Sequence, residues 1–323
     1  MMARASAGGL VAAVLLVVLA GALGFALQPY GIYLLSLWAV YTIAAIGLNL
    51  TLGFAGQMSL AQAAFVGIGA YCTALLDARG IPFPATLAIA VLLTFGVGWC
   101  VGYPALRVQG HYLAFVTLGL TTLVYLVMRN ETWLTGGIGG VSNIARPWPF
   151  AHNLAYLHLC LAALLAVAAA MWWMLRSPWG RAFVALRENP VRAMSLGVDV
   201  RRYTLLAFAI GAALGGIAGA FYAPLVQYIE PSPFALGFSI NLLMMVVIGG
   251  AGYFLGPFLG ALVAVLLPEW LRFLQDEYLI IYAVAVILLL LFCPTGLLGL
   301  AERALARGRA RGTAKAAAPV AAP

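Results

Sequence analysis

Eleven uncharged polar side chains in or beside the apolar runs of this 323-residue chain are available to line a path: Asn49, Thr51, Gln57, Ser59, Gln62, Thr117, Thr121, Thr122, Gln227, Ser239 and Asn241. Amides and hydroxyls exchange hydrogen bonds with a passing polar solute, or tie one helix to another. Asn49, Gln57, Ser59, Gln62, Thr117, Thr121 and Asn241 are the candidates for a translocation path, although each taken singly reads first as a helix-to-helix hydrogen bond. No Asp, Glu, Lys or Arg lies near the middle of an apolar run. Proton and sodium relays usually use such groups, so the driving energy is expected from elsewhere. His152 and His158 stand six residues apart and share no helix face, and His111 stands alone. Cys72, Cys100, Cys160 and Cys293 lie in or beside apolar runs without CxxC spacing and read as small buried hydrophobes. There is no Gly-x-x-x-x-Gly-Lys phosphate loop and no His-Glu-x-x-His. The chain is therefore expected to have no catalytic residue, no metal and no bound cofactor, and any ATP must be hydrolysed, with its Mg, by another chain.

One polar segment carries a local fold signal. Arg176 to Tyr203 reads RSPWGRAFVALRENPVRAMSLGVDVRRY. Asn189 is a helix N-cap, Pro190 takes the first helical position, and Gly197 supplies the stop. Val191 and Met194 share one side of the short helix between them. So short a helix is not stable alone; it needs something to dock against. Either its Arg side chains meet anionic lipid headgroups, or it docks on a cytoplasmic protein with Arg187, Glu188 and Arg192 as a polar rim.

The elements that must position these residues follow from composition. Apolar residues make up 65% of the chain and charged residues 8%, with a mean hydropathy of +1.05. Soluble domains carry roughly 25% charged residues, so a water-soluble enzyme, a disordered chain and a fibrous chain are all excluded. Ten runs are long enough to cross a bilayer: Gly9–Leu27, Ile32–Leu50, Leu60–Leu76, Ala85–Tyr103, Tyr112–Met128, Ala155–Leu175, Thr204–Tyr228, Leu236–Phe254, Pro257–Phe273 and Tyr278–Phe292. The fold class is an all-α, polytopic membrane bundle of about eight to ten transmembrane helices, one or two of them re-entrant or broken. The first run is too long for a signal-peptide core and is taken as a retained helix.

Charge placement orients the bundle. Lys plus Arg number 17 against 9 Asp plus Glu. With the N-terminus inside and ten crossings, 13 cations fall inside and 4 outside, so both termini are expected in the cytoplasm. The transmembrane domain then covers 1–301, with a cytoplasmic loop at 176–203 and an external loop at 129–153 that is nearly unfolded in composition. The Ala- and Arg-rich tail, 302–323, is expected to be disordered. The Arg excess follows the loops, which points to membrane lipid rather than nucleic acid. Two glycine clusters stand out: Gly53, Gly56, Gly67 and Gly69, then Gly249, Gly252, Gly256 and Gly260. Their spacing suits close helix packing, and their similarity hints at an internal repeat of the kind that builds transport folds.

Several stretches resemble the LivM family of membrane permeases: GLNLTLGFAGQMSLAQAAFVGIGAY (from Gly47), GHYLAFVTLGL (from Gly110), TGGIGGVSNI (from Thr135), ALRENPVRAMSLGVDVRRYTLLAFAIGAALGGIAGAFYA (from Ala185), VVIGGAGYFLGPFLGA (from Val246) and CPTGLLGL (from Cys293). They run in order over most of the chain, the tail excepted. The resemblance implies a bacterial inner-membrane permease for leucine, isoleucine and valine, without an ATPase site of its own. It implies a heterodimer with a LivH-like permease, two cytoplasmic ATPase subunits and an external amino-acid-binding protein. It also implies that Arg187, Glu188, Asn189, Pro190, Arg192, Ala193 and Gly197 form an ATPase-coupling loop. Ala193 and Gly197 keep the Glu-Ala-Ala-x-x-x-Gly spacing of importer coupling loops, while Val191 and Arg192 replace its Glu and first Ala; Glu188 and Asn189 fit the branched-chain group's variant. Alternating access driven by the ATPases is the implied mechanism. Permeases for urea, short-chain amides or aromatic acids resemble the same sequences, and an ion-coupled secondary transporter is the more distant alternative.

Overall fold

A computed structural model describes residues 7–105, 111–271 and 296–300. The expected crossing Tyr278–Phe292, the tail 302–323, Cys293 and the cations Arg4, Arg107 and Arg272 lie outside the described residues. The chain is helical almost throughout them: α1 (Ala7–Gly24), α2 (Pro29–Leu48) with a π-helical continuation (Asn49–Phe54), α3 (Gln62–Asp77), α4 (Phe83–Ala105), α5 (His111–Asn130), α6 (Thr132–Thr135), α7 (Asn153–Arg176), α8 (Pro178–Glu188), α9 (Pro190–Ser195), α10 (Val200–Val226), α11 (Leu236–Gly249) and α12 (Gly256–Leu271). The two-residue strands β1 (Val141–Ser142) and β2 (Tyr228–Ile229) pair antiparallel. This is the all-α membrane bundle that the apolar runs require.

Five helices among the described residues are long and apolar enough to cross a bilayer: Pro29–Phe54, Phe83–Ala105, Tyr112–Asn130, Asn153–Arg176 and Val200–Val226. Others are short. At 1.5 Å per residue, the 14 residues of α11 reach about 21 Å and the 16 of α3 or α12 about 24 Å, below the roughly 30 Å hydrocarbon core. Non-helical segments, 55–61 before α3 and 250–255 between α11 and α12, adjoin them.

The core is built on α10. In its most apolar stretch 78% of the residues are buried, against 22% in α5, so α10 is central and α5 peripheral. Gly211, Gly215 and Gly219 form a four-residue stripe along α10 that lets α2 and α3 approach at backbone distance. A Cβ on Gly219 would meet the Val66 carbonyl and stand 2.6 Å from the Ala70 amide; one on Gly47 would stand 2.8 Å from the Gly211 carbonyl. On the other side, a Cβ on Gly98 of α4 would stand 2.6 Å from the Ala212 Cβ. Leu92, Phe115 and Leu123 on the outer faces of α4 and α5 are exposed, as suits side chains solvated by lipid.

Contacts sort the loops to two ends. At one end β1 meets β2, the Asp77 carboxylate accepts a hydrogen bond from the Ala145 amide (2.9 Å), and the Tyr30 hydroxyl donates to Glu269 (2.7 Å). At the other end α8 and α9 meet the glycine breaks. One expectation needs correcting. Segment 129–153 is not unfolded: α6, a 3-10 turn at Gly137–Gly139, β1 and the Asp77–Ala145 bond give its backbone groups partners. Segment 176–203 holds the expected capped helix as α9; α8 precedes it, and α10 begins inside the segment at Val200.

Candidate functional site

The site starts from a physical problem, that of backbone that leaves the helix among the packed helices of an apolar bundle. Each unpaired N–H or C=O there is expensive, so non-helical backbone survives only where protein groups satisfy it. Segment 55–61 is such a stretch, and the polar residues singled out in the sequence converge on it. Thr117 Oγ1 accepts the Leu60 amide (3.0 Å), and Thr121 Oγ1 and Ser239 Oγ both donate to the Leu60 carbonyl (2.7 and 2.6 Å). Ser239 Oγ also accepts the Ala63 amide (3.0 Å), and Ser59 Oγ accepts the Ala61 amide (3.2 Å). Gln62 donates to the carbonyls of Ala44 (3.0 Å) and Gly211 (3.2 Å), tying α3 to α2 and α10.

Thus Ser59, Gln62, Thr117 and Thr121 hold the break in place through bonds to the chain's own backbone. Two members of the set keep a buried oxygen with no partner among the described residues: Gln57 Oε1, whose amide nitrogen donates to the Thr204 carbonyl (2.9 Å), and Asn241 Oδ1 on α11.

Asn49 joins the two glycine clusters. Its Oδ1 accepts the Gly252 amide and its Nδ2 donates to the Tyr253 carbonyl, both at 2.9 Å, so one side chain closes a ring with the α11–α12 break. Arg187, in the last turn of α8, reaches the same place: its guanidinium donates to the Gly53 carbonyl at the end of the π-helical turn. Gly252 lies against that guanidinium, and a Cβ there would also stand 2.7 Å from the Gly53 carbonyl. A Cβ on Gly56 would sit 3.1 to 3.3 Å from Arg187 Cα, Cβ and Cγ. Arg187 therefore touches both breaks at once.

The eight glycines divide by position. Gly67, Gly69 and Gly260 lie between elements, against Met128 and Phe234, the Gly216 backbone, and the Met245 carbonyl. The others do not serve plain helix packing. Gly56 (φ +71) and Gly252 (φ +82) are turn residues in the left-handed region, which strains side-chain-bearing residues. Gly249 and Gly256 face each other across the α11–α12 turn, and Gly53 closes on Asn49 and Gly252. Both clusters are helix–break–helix units whose breaks meet.

The remaining residues of the loop form α9. Asn189 Oδ1 caps it, accepting the Arg192 amide (3.0 Å); Pro190 takes the first turn, and Gly197 (φ +83) ends it. Ala193 is buried, turned toward the bundle. Glu188 and Arg192 are exposed, and so are the apolar side chains of Val191, Met194 and Leu196 (74, 62 and 81% exposed). Sequence reading passed over Ser177–Pro178, the same cap-and-proline signature at the start of α8, and the Gly211–Gly215–Gly219 stripe at four-residue spacing.

Residues 30–293 match the family described as the branched-chain amino acid transport system permease component. The chain is 34% identical over 313 residues to the high-affinity branched-chain amino acid transport system permease protein LivM of Escherichia coli K12, covering 88% of this chain and 74% of that protein. It is 26% identical over 332 residues to a probable branched-chain amino acid transport permease protein LivM of Methanocaldococcus jannaschii, covering 83% and 93%. It is also 25% identical over 291 residues to the permease protein LivH of Escherichia coli K12, covering 83% and 94%. No solved structure matches the chain.

Proposed function

The chain belongs to the family of branched-chain amino acid transport permease components, and from that premise we propose that it is the LivM-type membrane subunit of an ATP-driven importer for leucine, isoleucine and valine. Its similarity to both LivM and LivH proteins favours a heterodimer with a LivH-like permease. Two cytoplasmic ATPase subunits hydrolyse the ATP, with its Mg, and an external binding protein delivers the substrate; the chain itself performs no covalent chemistry. The end that holds α8 and α9 is the cytoplasmic one, in keeping with the six Arg between Arg176 and Arg202. Both termini then lie in the cytoplasm.

The observation that carries this reading is the outer surface of α9. A capped six-residue helix is anchored through Ala193, while Val191, Met194 and Leu196 stand exposed along with the charged Glu188 and Arg192. An apolar centre with a charged rim is the anatomy of a protein-docking surface. An ATPase seated on it moves α9 when it closes on nucleotide. α8 and α9 share Asn189 as a joint, so the motion arrives at Arg187, and from there at the Gly53 and Gly252 breaks. α2, α3, α11 and α12 all end at those breaks, and their reorientation about the glycine turns opens the pathway to alternate sides. Gln57 and Asn241, each with a buried oxygen that has no partner among the described residues, are the polar contacts offered to a substrate along it.

The test is uptake in vesicles with and without each partner, using leucine, isoleucine, valine and urea as competitors. Leucine uptake that requires the ATPases and is blocked by isoleucine and valine supports the proposal. Urea uptake unaffected by leucine refutes the cargo, and uptake without nucleotide refutes the mechanism.

A further inference from the structure

At the opposite end of the bundle from α9 lies a cavity of about 430 Å³, between the end of α3, the α3–α4 turn, segment 145–150 and α10. Its walls are apolar, with Ile81, Phe83, Phe150 and Pro224 among them. Three polar groups interrupt them. Thr73 is 1% exposed, and its Oγ1 has no partner among the described residues. Asp77 uses one oxygen, Oδ2, to accept the Ala145 amide. Arg146 lies over the Tyr156 ring and donates through Nε to the Pro224 carbonyl (3.4 Å) and through one terminal nitrogen to the Ala151 carbonyl and Asn153 Oδ1, leaving the two hydrogens of Nη2 without an acceptor among the described residues.

Asp77 and Arg146 line one cavity with opposite charge and, among the described residues, make no ion pair with each other. A ligand that brings its own ammonium and carboxylate completes both. The apolar walls then require an aliphatic remainder, and a few convergent polar groups in an apolar cavity of this size are the usual form of a small-molecule site.

We propose that this outer cavity binds a free aliphatic amino acid, its ammonium on Asp77, its carboxylate on Arg146 Nη2, and its side chain against Ile81, Phe83 and Phe150. The volume exceeds that of one leucine, which leaves space for a water bridging the ligand to Thr73 Oγ1. The choice of an amino acid over other zwitterions rests on the transport reading above. On that reading the cavity is a receiving site, apart from the junction at Gly53 and Gly252. A zwitterionic phospholipid headgroup offers the same pair of charges, and the test separates the two sources.

The probe is photo-leucine, a diazirine analogue, applied to the complete permease complex in nanodiscs of phosphatidylethanolamine and, separately, of phosphatidylglycerol. Labelling of segments 80–84 and 145–150 in both lipids, competed by leucine, is the expected result. Asp77→Asn keeps an acceptor for the Ala145 amide but loses the charge, and should weaken competition by leucine at least tenfold. Thr73→Val, of equal shape, should weaken it about threefold. Labelling confined to other segments while leucine uptake persists overturns the site and leaves the transport reading standing. Labelling here in a complex that takes up no aliphatic amino acid does the reverse. Phosphatidylethanolamine that co-purifies in the cavity and is not displaced by leucine also overturns it.

Discussion

Removing the guanidinium of Arg187 should uncouple ATP hydrolysis from transport. The group donates to the Gly53 carbonyl and lies against Gly252, while its aliphatic stem covers Gly56. A hydrogen bond from a charged donor contributes about 1.5 to 3 kcal/mol. Because Arg187 is exposed, solvent screening reduces this to about 1 to 2 kcal/mol. That energy biases the junction between engaged and disengaged arrangements by about 5- to 30-fold. Arg187→Met keeps most of the stem and deletes the donor, so packing on Gly56 is largely retained. In proteoliposomes containing the full complex, leucine taken up per ATP hydrolysed should fall by about that factor while hydrolysis continues. Arg187→Lys, with one ammonium able to reach the Gly53 carbonyl, should recover part of the loss. A folded Arg187→Met complex with an unchanged ratio of uptake to hydrolysis would refute the proposed route of force.

Other substitutions probe the remaining parts. Gly252→Ala forces φ +82 on a residue with a Cβ and presses it against the Gly53 carbonyl; a loss of about 2 to 4 kcal/mol should appear as a lowered unfolding temperature of the purified complex. Ser239→Ala leaves the Ala63 amide without its partner and removes one of two donors from the Leu60 carbonyl, which should cost about 1 to 3 kcal/mol and raise hydrogen exchange at 60–63. Gly219→Leu drives a side chain into the Val66 carbonyl and should prevent stable assembly, seen as loss of the monodisperse complex in detergent. Gly197→Trp meets open space within the chain but forces φ +83 on a residue with a Cβ, a local cost of about 1 to 2 kcal/mol at the end of α9; membrane insertion should persist while uptake is abolished, and normal uptake would count against docking.

What could be read in the sequence was what is local. Asn189, Pro190 and Gly197 define α9 through neighbours a few residues away. The signature at Ser177–Pro178 was equally legible. Apolar runs gave the five long helices, because burial in lipid is a property of a segment; that α3, α11 and α12 are too short to span was not legible from the runs. The roles of the polar residues were not legible, since their partners are remote in the chain: Leu60 is 57 positions from Thr117 and 179 from Ser239. A hydroxyl that lines a path and one that satisfies a break look alike until the backbone is placed. Gly56 and Gly252 were visible as glycines, but a positive φ is set by where the break falls, and the two clusters meet through Asn49, Arg187 and the direct Gly53–Gly252 approach, all remote in the chain. The order of segment 129–153 likewise depends on Asp77, 68 positions before its partner Ala145.

Cysteine crosslinking from position 194 tests the central claim most directly. In a background free of the native cysteines, Met194→Cys should crosslink to the ATPase subunit, and membrane-impermeant maleimide added outside intact cells should not label it. The crosslink should stop ATP-driven uptake of leucine. Labelling of Met194→Cys from outside the cell would contradict the account.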